Sequence, residues 1–265
     1  MAQVGEFAQL DLSDNPRYFI EFLDMVDRAP KIKEVRNSTY KAMDLALGSH
    51  VLDVGCGHGT AAIEMARLVG VHGTIEGVDI SGDMIAEAKM RAQDVSNVTF
   101  RTSDAYQLPY ADNTFDATRM ERVLLYIKDR ERVISEMIRV TKRRGRVVLA
   151  DVDFESTAIF SNDHLQTRKM TALIADACVN PTSGRELPYL LRAAGLEDIS
   201  VDLQAISTPY EFCFHLSNGT LRSAIEGGRV TPQEVDIWLQ DLASIEAAGQ
   251  FFQSWVFTIV GGVVG

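Results

Sequence analysis

Gly55, Gly57 and Gly59 stand at alternate positions in Val51-Leu-Asp-Val-Gly-Cys-Gly-His-Gly-Thr60, between an apolar run and a helix-forming one. Glycine at such a turn lets the backbone reverse sharply and lets a ligand approach with no Cβ in the way. Asp79 follows Gly59 by 20 residues, at the end of the next apolar run. A carboxylate there can accept from both hydroxyls of a ribose. The two features together point to a nucleoside-bearing ligand, and two details choose among such ligands. The spacing is GxGxG rather than the GxGxxG of a dinucleotide turn, and Asp53 lies just ahead of it. A carboxylate beside a helix N-terminus disfavours a pyrophosphate and suits an ammonium-bearing or cationic ligand, so an adenosyl cofactor fits better than NAD.

These residues need a strand, a tight turn and a helix in that order, and the surrounding chain supplies them. Residues 50–55 read as a buried strand, and 60–69 as a helix with Ala61, Ala62, Ile63, Met65, Ala66 and Leu68 apolar. The alternation continues with strands at 74–79, 98–102, 115–119 and 146–151 and helices at 82–94 and 130–140. Alternating strands and helices imply parallel pairing and an open α/β sheet. Two helices precede the first strand, at about 17–29 and 32–47. A helix at 185–194 and strands at 199–206 and 251–260 close the chain, and mostly helical inserts at about 154–180 and 209–248 read as lids over the sheet. The organisation expected is a helical cap at 1–47 and one domain at 48–265.

On these motifs the chain resembles the class I S-adenosylmethionine-dependent methyltransferases, in particular the small-molecule branch similar to ubiquinone and menaquinone C-methyltransferases. The matching segments are VLDVGCGHGT (51–60), GVDIS (77–81), DMIAEAKMRA (83–92), SDAYQLPY (103–110), FDATRMERVLLYIKD (115–129), EMIRVTKRRGRVVLADVD (136–153) and LPYLLRAAGLEDISV (187–201). FFQSWVFTIVGG (251–262) looks like the family's last strand. The resemblance covers about residues 45–205. It implies a Rossmann-like, mostly parallel seven-stranded sheet with helices on both faces and an antiparallel last strand. It also implies S-adenosylmethionine as cofactor and S-adenosylhomocysteine as product.

The resemblance carries over residue by residue. Gly55, Cys56 and Gly57 would face the methionine part of the cofactor, with Asp53 anchoring its amino-acid end. Asp79 would hold the ribose, with Ile80 and Met84 packing on the adenine; Met84 reads equally as core. Asp104 would accept from the adenine amino group, or else only cap a turn, and the Ala105 N–H would meet a ring nitrogen. Met120, Glu121 and Arg122 would contact the methionyl backbone, and Arg36 would pair with its carboxylate. Cys56 reads as a small filler and His58 as an exposed turn residue.

Methyl transfer from a sulfonium is an in-line displacement that needs nucleophile and methyl held close with water excluded. A base is needed only if the nucleophile carries a proton. Candidates are His164 and His215 in the inserts, Asp151 and Asp153 at the end of the 146–151 strand, and Tyr126 and Glu121 after the 115–119 strand. No cluster has metal-ligand spacing, so metal-independent transfer is expected. Phe154, Phe160, Tyr210, Phe212 and Phe214 in the inserts suit an apolar or aromatic acceptor, and they suit an ordinary helical core equally well.

The 265 residues carry 26 Lys and Arg against 37 Asp and Glu, a net charge of −11. Residues 1–150 contribute −2 and residues 151–265 contribute −9. An acidic chain repels phosphate backbones, so a small-molecule partner is expected rather than nucleic acid. The basic cluster Lys142, Arg143, Arg144 and Arg146 reads as a solvated turn. Three cysteines without pairing motifs argue against a disulfide framework. The absence of a long apolar run or leader pattern implies a cytoplasmic protein with no membrane partner, as monomer or homodimer. Two other readings stay open. One is a macromolecular methyltransferase acting on RNA or protein; the other is a methyltransferase-fold protein with a non-methylating reaction such as cyclisation.

Overall fold

In a computed structural model that describes residues 16–265, seven strands form one sheet. They are β1 (His50–Val54), β2 (Thr74–Asp79), β3 (Val98–Thr102), β4 (Phe115–Glu121), β5 (Thr141–Ile159), β6 (Glu197–Ser207) and β7 (Gln253–Val263). Their order across the sheet is β3-β2-β1-β4-β5-β7-β6. The first five pair in parallel, and β7 runs antiparallel between β5 and β6. The connection from β1 outward to β2 and β3, then back past β1 to β4, creates a topological switch between β1 and β4. In an open α/β sheet, ligands bind outside the carboxyl ends of the strands at that place.

The helices are α1 (Pro16–Arg28), α2 (Pro30–Ala42), α3 (Thr60–Val69), α4 (Gly82–Arg91), α5 (Arg130–Val140), α6 (His164–Ala175), α7 (Ser183–Ala193), α8 (Tyr210–Glu226) and α9 (Pro232–Ala247). Local chemistry sets several of their ends. Ser81 caps α4 by accepting from Met84 N, Asp129 caps α5, and Thr231 with Glu234 forms a reciprocal capping box on α9. Two apolar cores lie on the two faces of the sheet. One gathers Val51, Val148, Val152, Phe154 and Trp255 with α6, α8 and α9; the other gathers Leu52, Val54, Met120, Leu149 and Val260 with α5 and α7. Adjacent residues of one strand thus divide between the cores, as the two-residue period of a strand requires.

Three segments differ from the sequence reading. The helix expected over 32–47 stops at Ala42, and Asp44 adopts a left-handed φ of 53° where the chain turns. β5 does not end at residue 151. After a register shift between Asp153 and Ala158 it pairs again with β7 as far as Ile159, so the first part of the 154–180 insert is strand and only His164–Ala175 is helix. The basic cluster lies in the first part of β5, with Arg144 at a φ of 65° and Lys142 paired to Asp116 at 2.6 Å. Of the expected cap, residues 1–15 lie outside the described residues.

Candidate active site

The glycine turn leaves β1 at the switch point. Gly55 and Cys56 N–H both donate to Val78 O of β2, at 2.7 and 2.9 Å, which folds the turn back over the sheet. Gly55 holds a φ of +73°, and a Cβ there would stand 2.3 Å from Val123 Cγ2. Its glycine therefore answers the fold as well as any ligand. Gly57 N–H donates to Asp79 Oδ2 at 2.8 Å, and Ser81 N–H donates to Asp79 Oδ1 at 3.0 Å. The carboxylate at the end of β2 is thus oriented by backbone N–H groups from both sides.

Across the switch, Asp53 of β1 stands in register with Arg119 of β4. Arg119 is buried. It donates to Asp53 Oδ1 at 2.8 Å, to Thr39 Oγ1 at 2.8 Å and to Glu121, and its guanidinium lies 5.7 Å from the Tyr40 ring centre. Burial opposes its charge, but Glu121 and Asp53 overcome this and hold its pKa above the usual arginine value. Asp53 is pushed the other way: burial raises its carboxyl above the ordinary range despite Arg119. Its second oxygen, Oδ2, is buried with no hydrogen-bond partner among the described residues. An orphaned buried carboxylate oxygen at the edge of a cavity fits an ammonium donor.

α1 covers this end of the site and brings charges of its own. Asp27 meets Arg36 at 3.0 Å and Arg122 at 3.3 Å, while Arg36 also holds Glu64 at 2.8 Å and Arg122 holds Glu121 at 3.0 Å. Burial alone would raise the Asp27 carboxyl, but Arg122 and Arg36 outweigh it and keep it low. Asp24, also of α1, pairs with Arg91 at 2.6 Å. His58 is buried beneath α1 rather than exposed in the turn. Its ring sits 3.1 Å from Thr60 Oγ1 and 3.5 Å from Asp24, and burial keeps it neutral at neutral pH. Its burial comes from α1, a contact that no local pattern around residue 58 announces.

A cavity of about 420 Å³ runs from this cradle along the β4, β5 and β7 ends. Its polar end is formed by Asp53, Gly55 to Gly57, Asp79, Ile80, Met84, Asp104 and Ala105. The other end is apolar: Val152 and Phe154 of β5, Trp255 and Phe257 of β7, Phe212 and Leu216 of α8, and Phe22 and Val26 of α1. Alternate residues of β5 and β7 supply this wall, again by the period of two.

Of the residues expected to hold the cofactor, Arg36, Asp53, Gly55, Cys56, Gly57, Asp79, Ile80, Met84, Asp104, Ala105, Glu121 and Arg122 line this one cavity. Met120 does not. It lies between Arg119 and Glu121 on the strand and so faces the opposite core. Arg36 and Arg122 are engaged by carboxylates, and Asp104 Oδ1 accepts from Tyr106 N at 2.9 Å, a turn-capping bond. Burial pushes the Cys56 thiol up, with Asp79 and Asp53 adding to it, which suits a filler and not a nucleophile.

Among the candidate bases the structure brings only Tyr126 and Glu121 to the cavity. His164 is exposed at the start of α6, and His215 faces Glu211 on α8 at 3.9 Å. Asp153 points to the other face of β5, where it is held by Arg185. Asp151 is buried there too, accepting from Leu125 N at 2.9 Å and Ser183 Oγ at 2.8 Å. Burial pushes the Tyr126 hydroxyl well up, so it keeps its proton. Sequence reasoning missed Asp24, Asp27, Arg119 and Trp255. An arginine inside an otherwise apolar strand, followed two residues later by Glu121 and matched by Asp53 in the first strand, was the signal available for one of them.

A mostly parallel sheet in the order β3-β2-β1-β4-β5-β7-β6, with β7 antiparallel between β5 and β6, matches the Rossmann-like architecture of class I methyltransferases. A family model described as a methyltransferase domain matches residues 46–195, more than half of the chain. The chain belongs to that family. It is 28% identical over 250 residues to an uncharacterized 37.1 kDa protein in transposon TN4556 of Streptomyces fradiae, covering 91% of this chain and 70% of that one. It is 36% identical over 132 residues to a demethylmenaquinone methyltransferase of Alkalihalophilus pseudofirmus, covering 49% and 56%. The match thus spans about half the length of that relative. Among solved structures, the [4+2]-cyclase SpnF is 26% identical with a TM-score of 0.57, covering 88% of this chain and 82% of that one.

Proposed function

We propose that the protein moves a methyl group from S-adenosylmethionine to O, N or C of a small, neutral, apolar or aromatic acceptor by direct in-line displacement. The observation that carries this reading is the continuity of one cavity, polar at the glycine turn and apolar beneath α8. The cofactor supplies an electrophilic methyl on a sulfonium. Asp53 would accept from its ammonium, Asp79 from its ribose, and Asp104 with Ala105 would meet its adenine. α1 and α8 line the junction, and with both reactants bound they would exclude water there, strengthening the electrostatics and holding the reactants together. The cavity lining also matches a cation: Asp27, Asp53, Asp79, Asp104 and Glu121 outnumber Arg36, Arg119, Arg122 and Lys128.

The resemblance to a demethylmenaquinone methyltransferase supports a ring-bearing acceptor. The −9 carried by residues 151–265, which include α8 and β7, disfavours an anionic one. A second reading, ring formation without methyl transfer, is favoured by the 26% identity to a [4+2]-cyclase over most of both chains. Incubation with methyl-labelled S-adenosylmethionine and a metabolite extract separates the two. Label in a small, organic-extractable product supports methyl transfer; cofactor binding with no labelled product from any extract supports the second reading. Label in RNA or protein instead would overturn the small-molecule reading.

A further inference from the structure

Trp255 of β7 is 4% exposed and lines the apolar end of the cavity, and its indole Nε1–H meets no acceptor among the described residues. Buried donors in folded proteins almost always have a partner, and an unpaired one calls for an explanation. The chain's second tryptophan shows the ordinary arrangement. Trp238 is equally buried, away from the cavity, and donates to Thr167 Oγ1 at 2.9 Å. Around Trp255, the rings of Phe154 and Phe212 stand nearly perpendicular to the indole, with centres 5.7 and 5.2 Å away. They fix the plane of the indole and bring it no oxygen or nitrogen acceptor. Trp255 borders the cavity, so a cavity occupant that displaces the packing at its edge is the source from which an acceptor for this donor would come.

The charged groups of the cavity restrict what else that occupant carries. Arg36, Arg119 and Arg122 are each engaged by two carboxylates, and the fourth cation of the lining, Lys128, is exposed at the rim, so an anion buried among the aromatic rings would find no unmatched guanidinium there. Resting on the methyl-transfer reading, we propose that Trp255 Nε1–H is the donor that orients the methyl acceptor. The acceptor is then an uncharged ring system bearing a carbonyl or ether oxygen, packed between Phe154, Phe212 and Trp255. One hydrogen bond in an otherwise apolar chamber sets which edge of a flat substrate turns toward the cofactor. Such a donor discriminates strongly, because a substrate lacking the oxygen leaves the indole unpaired.

The test uses two bicyclic probes that differ in one group, 1-tetralone with a carbonyl and tetralin without, titrated calorimetrically into protein saturated with S-adenosylhomocysteine. The wild type is expected to bind the ketone about tenfold more tightly than the hydrocarbon. Trp255→Phe keeps an aromatic wall and loses the donor, so its preference falls to within about twofold. Phe154→Leu weakens both probes and keeps the preference. Since the chain has two tryptophans, indole N–H resonances of the wild type give a reading that needs no substitution. The ketone should move the Trp255 signal downfield and leave Trp238 in place. No preference in the wild type, a preference that survives Trp255→Phe, an unmoved Trp255 signal, or binding of neither probe would overturn the proposal. Failure of the methyl-transfer reading would show separately, as a retained ketone preference with no labelled product.

Discussion

Arg119→Leu removes the one guanidinium that Asp53 and Glu121 share inside the sheet. Arg119 is 3% exposed, and its three bonded partners, Asp53, Glu121 and Thr39, are all buried. Leucine fills part of the space and pairs with nothing. Glu121 keeps Arg122 at 3.0 Å, so the stranded charge is chiefly that of Asp53, whose other oxygen already lacks a partner. Breaking a buried pair from one side costs about 3–5 kcal/mol. For a chain of this size each kcal/mol lowers Tm by roughly 2–4 °C, so a fall of about 6–20 °C is expected at pH 7.5. The pH dependence follows from Asp53. Burial already raises its folded pKa above the unfolded value, and loss of Arg119 raises it further. A raised acid stabilises the fold below its unfolded pKa and loses that contribution as pH rises through the folded pKa. The deficit of the variant is therefore larger at pH 7.5 than at pH 5. Thermal melts of both proteins at the two pH values measure this. A deficit below about 1 kcal/mol, or one equal at both pH values, would refute the assignment of Arg119 as the neutralising partner.

Three further outcomes can be checked. Asp27→Ala should free α1 from Arg36 and Arg122, so that bound S-adenosylmethionine exchanges about tenfold faster in stopped-flow measurements. Because its partners hold the Asp27 carboxyl low, the contribution it makes is present above its unfolded pKa and is lost as pH falls through the folded one. Asp151 is raised to about 7 by burial. The wild type should therefore lose stability as pH rises from 5 to 8, by at most about 1.4 kcal/mol per unit from this group, and Asp151→Asn should flatten that slope in denaturant titrations. His164→Ala and His215→Ala should each leave the rate of labelled methyl transfer within about twofold, in keeping with the small effect of substitutions away from a site; a hundredfold loss in either would place a catalytic group outside the cavity.

The alternation of strands and helices, the glycine turn and Asp79 were legible because each is written in a few adjacent residues. A strand, a tight turn and a helix leave local patterns of burial and punctuation. Pairing across the sheet is not local. Asp53 and Arg119 are 66 positions apart and meet only through the β1–β4 register. The same limit explains His58, which is buried by a helix more than 30 residues upstream. Asp153 and Met120 were near the right place in the chain but on the wrong face, since a strand sends neighbours to opposite sides and motif position alone does not say which. The extension of β5 past Asp153 depends on antiparallel pairing with β7, about 100 residues later, and no property of residues 154–159 announces it.

The most direct test of the cofactor site is the affinity for S-adenosylmethionine of Asp79→Ala against the wild type, by calorimetry. Asp79 holds two backbone N–H groups and lines the polar end of the cavity, and loss of a charged acceptor is expected to weaken binding by at least ~1.5 kcal/mol, about tenfold. Equal affinity in the two proteins would contradict the placement of the cofactor at the glycine turn.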